Sequence, residues 1–182
     1  MMNWTERPDF IYDGESWGQK NKEFQKFYDL PVLSGEKFEI IINRPKDEAT
    51  AKSMEYLQSC RWNVLSPDDH ISDMENYKSF VQSSFAEFSI TKETYIKSNS
   101  GWFSGRSAVY LASGKPVITQ DTRWSSYIPS GEGVIAIHDL KSALDAVKEV
   151  SSNYEHHSRE AKNIAREYFD SSIVLENMLN HM

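Results

Sequence analysis

The chemistry available to this chain is concentrated in Ser98–Thr122, SNSGWFSGRSAVYLASGKPVITQDT. Arg106 brings a fixed, forked positive charge suited to phosphate, Ser104 and Ser107 bring hydroxyls, and Gly101 and Gly105 let the backbone come close to a ligand. The pattern predicts a polar loop over 99–105, a short apolar helix over 106–113 stopped by Gly114, and a buried strand over 116–120 that empties into Asp121 and Thr122. A loop feeding a helix start presents unpaired N–H groups at the positive end of the helix dipole, which is where anions bind. One reading of the stretch is a diphosphate cradle. The other is a helix capped by Ser104 that carries a surface arginine. Trp102 and Phe103 divide in the same way, between stacking on a base or sugar and packing in a core or interface.

Such residues need a scaffold, and composition bounds it. A length of 182 residues supports one domain with a full core, and 39% hydrophobic with 26% charged residues is ordinary for a globular protein. The net charge of −7 argues against a nucleic-acid or anionic-membrane partner. The one cysteine, Cys60, excludes an intrachain disulfide framework and a cysteine-based zinc site. Together with the lack of a signal-like segment or a run of 18 apolar residues, it points to a cytoplasmic protein without a membrane span. No Ser-His-Asp, HExxH or P-loop pattern appears, so hydrolase and NTPase readings lack support. His156 and His157, adjacent in a predicted helix, face different ways, which argues against a shared metal, and no metal or cofactor is expected.

Residues 1–36 read as an irregular, aromatic-rich arm broken by Pro8, Gly14 and Gly18, with a short helix over 20–28 that Leu30-Pro31-Val32 ends. Residues 37–182 read as the domain. Strands are expected over 37–43, 62–65, 85–90, 116–120 and 134–137. Helices are expected from Pro45 through Cys60 and after caps at Asp73, Asp139, Asn153 and Asp170. This alternation predicts an α/β, Rossmann-like three-layer domain with a mainly parallel sheet, right-handed crossovers and a helical C-terminal tail. Ligands in such sheets lie at the carboxyl ends of the strands, where Lys92, the 99–107 loop and Gln120, Asp121 and Thr122 fall. Glu87, on a buried strand, needs a partner, and His138 ends a strand.

SGWFSGRSAVYLASGKPVITQDT, with EFSITKETYIKS before it and IPSGEGVIAI and SREAKNIAREYFDSSIVLENML after it, resembles the C-terminal half of bacterial GT-B glycosyltransferases. More narrowly it is similar to a group usually labelled family 1 glycosyltransferases, over about Phe38 to Leu179. The resemblance implies a domain that binds a nucleotide-diphosphate sugar, the donor substrate, with no further cofactor. Carried over residue by residue, it implies donor contacts at Lys92, Trp102, Ser104, Gly105, Arg106, Ser107, Gln120, Asp121, Thr122, Gly131 and Gly133. Lys92 would be the second cation, and 120–122 would meet sugar or ribose hydroxyls. Alternatively Lys92 is a solvated lysine at a helix start, and Asp121 and Thr122 hold the loop by local bonds.

The departures weigh as much. The two glutamates that many GT-B enzymes carry eight positions apart fall here at Gly101 and Val109, and Arg123 stands where the group usually has Gly. The acceptor half of a two-domain transferase is absent from the sequence. The expectation is a donor-binding half that transfers a sugar only with an N-terminal acceptor domain, supplied separately or within a homo-oligomer. The alternatives are a non-catalytic module that binds a nucleotide or a protein, and a structural protein whose pocket its own N-terminal arm fills.

Overall fold

The computed structural model of the protein describes residue 4, residues 9–45 and residues 47–180, so Pro8 and the outermost part of the predicted arm lie outside them. The arm is not irregular. Strands β1 (Phe10–Tyr12) and β2 (Glu15–Trp17) pair antiparallel around Asp13-Gly14, whose φ values of 50° and 75° are those of a two-residue hairpin turn. Helix α1 (Lys20–Phe24) runs into a 3-10 turn at Gln25–Phe27, and α2 (Leu30–Ser34) follows. Pro31 sits in the first turn of α2, where its missing N–H costs nothing, so Leu30-Pro31-Val32 opens a helix instead of ending one.

Next come β3 (Phe38–Ile41), α3 (Glu48–Ser59), β4 (Trp62–Leu65), α4 (Pro67–His70), α5 (Met74–Ser83) and β5 (Glu87–Ser89). They lead into α6 (Glu93–Lys97), α7 (Gly105–Ala112), β6 (Val117–Gln120), β7 (Val134–Ile137), α8 (Leu140–Ser152), α9 (Tyr154–Phe169) and α10 (Ser171–Asn180). Helix α3 starts at Glu48 and not at Pro45, because Asp47 accepts the Thr50 N–H at 2.7 Å and fixes the start there. Asp73 caps α5 through Asn76, and Asp139 and Ser142 form a capping box on α8. Asn153 makes no side-chain cap; its amide donates to Glu149 Oε1 at 2.8 Å.

Among the described residues the pairings in the domain are parallel: β3 with β4, and β5 with β6 with β7. Residues alternate between faces of this sheet. Ile40, Ile118 and Ile137 turn to the core shared with α3 and α8, whereas Val117 and Val134 turn to the core shared with α7 and α9. The layers are therefore helix, sheet, helix. Trp4, Phe24, Phe27 and Leu30 are buried in the first of these cores, with Phe24 4.9 Å from Trp62 ring to ring. The inner arm is thus a wall of the domain, which cannot be removed without opening its core. Among the described residues no helix is long and apolar enough to cross a membrane.

Candidate functional site

The loop before α7 is held in place by its own backbone and by Thr122. The Gly101 N–H donates to Thr122 O at 2.8 Å, and Thr122 Oγ1 donates to Trp102 O at 2.7 Å. Gly101 has φ +70°, a left-handed conformation that favours glycine. This staple sets the loop 99–104 at the carboxyl end of β6 and presents the first turn of α7 there. Ser104 occupies the N-cap position without a side-chain cap bond, so the N–H groups of Gly105, Arg106 and Ser107 are those a helix start leaves without an intrahelical partner. Ser107 is fully buried and its Oγ has no hydrogen-bond partner.

Arg106 does not lie on the surface. Its Nε donates to Glu87 Oε1 at 2.5 Å and its guanidinium donates to Ser89 Oγ at 3.0 Å, both on β5. Burial works against its charge, yet the charge and hydrogen bond of Glu87, with Tyr110 and Tyr77 beside it, together hold its pKa above the ordinary value. Glu87, 4% exposed in its side chain, thereby finds the partner that a buried carboxylate needs.

At the end of β6 the side chains are engaged within the chain. Gln120, buried, accepts the Thr91 N–H at 2.9 Å and donates to Glu23 Oε2 at 2.8 Å. Asp121 accepts from Arg123 N at 2.8 Å and from Ser125 Oγ at 2.6 Å, holding the 3-10 turn Trp124–Ser126. Trp102 stacks on Tyr95 at 5.0 Å, and Phe103 packs between Trp124 and Phe169 in the second core. Lys92 stands half-buried at the start of α6.

The structure thus brings Lys92, Trp102, Ser104, Gly105, Ser107, Gln120, Asp121 and Thr122 to one edge. It does not bring Gly131 and Gly133 there. They precede β7, at the amino end of a strand parallel to β6, which is the opposite edge of the sheet. Gly133 has φ +72° and lies so close to α9 that a Cβ would fall 2.4 Å from Ala161 N, while its N–H meets His157 Nδ1 at 3.2 Å. Its role in the structure is close packing. His156 faces Glu132 and His157 faces Glu149, so the two histidines take different partners.

Two site-edge residues were missed from the sequence, Glu23 and Glu93. Glu23, 1% exposed, carries Lys26 on Oε1 at 2.6 Å and Gln120 on Oε2. Glu93 accepts the Gly18 N–H at 2.6 Å, and Lys97 donates to Ser16 O at 2.8 Å, which lays the arm along α6. Nothing local marks these residues: each is one acidic residue in a short helix.

Arg123 has φ +80°. A residue in that region is strained unless it is Gly, which gives a physical reason for a Gly at this place in the similar group.

No family model matches the chain, and no curated protein matches it in sequence. Among solved structures it matches TarM, a glycosyltransferase, with a TM-score of 0.60 and 15% sequence identity over 89% of this chain and 32% of that one. The chain therefore spans about a third of the length of TarM. At this identity the likeness speaks for the fold alone, and with the parallel sheet and helical tail described above it gives one conclusion: the chain has a GT-B-like fold.

Proposed function

We propose that the chain is the donor-binding half of a glycosyltransferase, which binds a nucleotide-diphosphate sugar at the carboxyl edge and transfers the sugar only together with an acceptor half. The observation that carries this is the start of α7 at that edge, with its N–H groups and the unpartnered Ser107 Oγ, in a GT-B-like fold. A departing nucleotide diphosphate gains negative charge, and fixed donors aimed at it stabilise that charge without reorganisation. Arg106 acts here as a support that ties α7 to β5, since its guanidinium is turned to Glu87 and Ser89. Helix α10 supports the need for a second half: none of its residues is buried, and Leu175, Met178 and Leu179 are exposed.

A second reading is favoured by a different observation. Glu23, Lys26 and Gln120 form a closed set at the end of β6, so the arm itself occupies part of the edge. On this reading the chain is a non-catalytic nucleotide- or protein-binding module that reuses the fold.

Calorimetric and thermal-shift titration against UDP, GDP, ADP, CMP and their common sugar conjugates tests the donor site, and sugar transfer on addition of an acceptor half separates a donor half from a non-catalytic module. The donor half gives saturable binding to one nucleotide, weakened by about 1.5–3 kcal/mol in Lys92→Ala, the range for hydrogen bonds to charged groups. Ser107→Ala weakens it by about 0.5–1.5 kcal/mol. Absence of binding in a folded sample, or binding that neither substitution alters, removes the carboxyl-edge donor site.

A further inference from the structure

A cavity of about 590 Å³ reaches the amino ends of β3 and β5, where residues 35–37 lead into the first strand and residues 83–86 into the second. Its volume is that of a pocket for a small organic molecule. Phe38, Phe88 and Ile118 of the strands and Val147 and Val150 of α8 give it an apolar wall. A polar wall comes from Ser83, Ser84, Glu87 of β5, and Arg106 and Tyr110 of α7.

Most of the polar wall is spent. The Ser83 and Ser84 hydroxyls donate to Phe80 O at 3.1 and 2.7 Å, the Tyr110 hydroxyl is engaged with Ser84, and Arg106 donates to Glu87 Oε1 and Ser89 Oγ. What is left is Glu87 Oε2. It is buried, it belongs to a side chain only 4% exposed, and it has no hydrogen-bond partner among the described residues. A buried acceptor left open costs free energy until a donor meets it, so this oxygen marks the place of a donor atom in a guest. Water supplies such a donor but leaves the apolar wall uncovered; a molecule with an apolar body and one donor satisfies both walls.

Charge narrows the guest further. Inside, Glu87 and Arg106 form an ion pair without net charge. At the mouth Glu36, Lys37 and Glu39 are exposed and mixed in sign, with Glu36 accepting from Ser151 and Glu39 from Asn63. An anion within the cavity would lie against Glu87 and a cation against Arg106, so a neutral molecule fits.

We propose that this cavity binds a small, neutral aromatic molecule with one hydroxyl or ring N–H, which donates to Glu87 Oε2 while its ring packs against Phe38, Phe88, Val147 and Val150. Aromatic walls favour a flat ring over a flexible chain. The cavity opens at the amino ends of the strands, so this guest is separate from a nucleotide at the carboxyl edge, and the inference stands without that reading.

The probes are 2-naphthol, 2-methoxynaphthalene and 2-naphthoate, which share one ring system and differ as a neutral donor, a neutral molecule without a donor, and an anion. Titration of the full chain is followed by calorimetry and by the methyl resonances of Ile118, Val147 and Val150. Saturable binding of 2-naphthol is expected to shift these methyls and leave those of the exposed Val109 in place. Its affinity exceeds that of 2-methoxynaphthalene at least tenfold, and 2-naphthoate does not bind. In Glu87→Gln the amide oxygen stays on Arg106 and an NH₂ donor replaces the open acceptor, so a folded variant loses the tenfold advantage. The three probes on the unaltered chain decide the matter even where that variant does not fold. Absence of 2-naphthol binding, equal affinity for 2-methoxynaphthalene or for 2-naphthoate, shifts confined to residues outside the cavity, or an advantage undiminished in folded Glu87→Gln would each overturn the proposal.

Discussion

The carboxyl edge of the sheet and the gap between β3 and β5 are built on opposite principles. At the edge the side chains have the types that bind ligands, and they are largely engaged with one another: Gln120 with Glu23, Asp121 with Ser125, Thr122 with Trp102, Arg106 with Glu87. Between β3 and β5, which no ladder joins among the described residues, a cavity of about 590 Å³ is walled by Phe38, Phe88, Val147 and Val150 together with Glu39 and Tyr110. Residue type announces a site only where the fold leaves that residue's polar atoms unspent. Topology can leave an opening that no residue type announces.

The largest effect that bears on this contrast is at Arg106. If its guanidinium is a structural partner of Glu87, Arg106→Ala leaves a buried carboxylate unpaired and costs about 3 kcal/mol of stability. Denaturant unfolding reads this directly. A variant of unchanged stability but weakened nucleotide affinity would return Arg106 to the donor site and make the two regions more alike.

Gly133 comes next. Its Cβ would meet the backbone of Ala161, at a φ that non-glycine residues avoid, so Gly133→Ala costs about 2–3 kcal/mol as α9 is pushed from the sheet. Unfolding midpoints check it. A stable Gly133→Ala protein would mean that α9 packs less closely on the amino edge than the geometry implies.

How much of this was legible in the sequence follows from the range of the interactions. Strands β4 and β7 and the caps at Asp73 and Asp139 were readable, because periodicity and capping act within a few residues. The hairpin at Asp13-Gly14 carries its signal in a two-residue turn that tolerates positive φ, but Phe10, Ile11 and Tyr12 before it do not alternate with polar residues as a half-buried strand does. The Glu87–Arg106 pair spans 19 residues and the Glu23–Gln120 bond spans 97, and no local pattern encodes either. For the same reason Arg106 reads as a phosphate ligand until the strand that carries Glu87 is laid beside it. The gap between β3 and β5 is a property of two ladders and was beyond any single-strand reading.

Asp139, just past the carboxyl end of β7, gives a pH test of the same edge. Its carboxylate accepts the Ser142 N–H and then the Ser142 hydroxyl, and these bonds hold its pKa below the ordinary 3.8. A lowered folded pKa gives a stabilising contribution that is present above 3.8 and is lost as pH falls through the lower folded value. The stability difference between the wild type and Asp139→Asn is therefore greatest near neutral pH and shrinks on acidification. A difference independent of pH would show that the cap works through the hydroxyl of Ser142 alone.

The smallest effect is at Arg123, where fold and site pull apart. The residue sits at φ +80°, directly after Asp121, whose carboxylate accepts its N–H at 2.8 Å. Glycine adopts this conformation without the clash between Cβ and the backbone, but its unfolded chain is freer, so the two terms partly cancel. Arg123→Gly is expected to stabilise the protein by about 0.5–1 kcal/mol, a rise of a few degrees in melting temperature. The bond to Asp121 survives because it uses the backbone. If the carboxyl edge binds a nucleotide diphosphate, removing this exposed cation weakens binding modestly and in a salt-dependent way. If the edge is closed by the arm, affinity for the diphosphate is absent in both proteins and only the melting temperature moves. The same substitution thus measures backbone strain in one experiment and, by titration at two salt concentrations, whether the polar residues of this edge are spent or available.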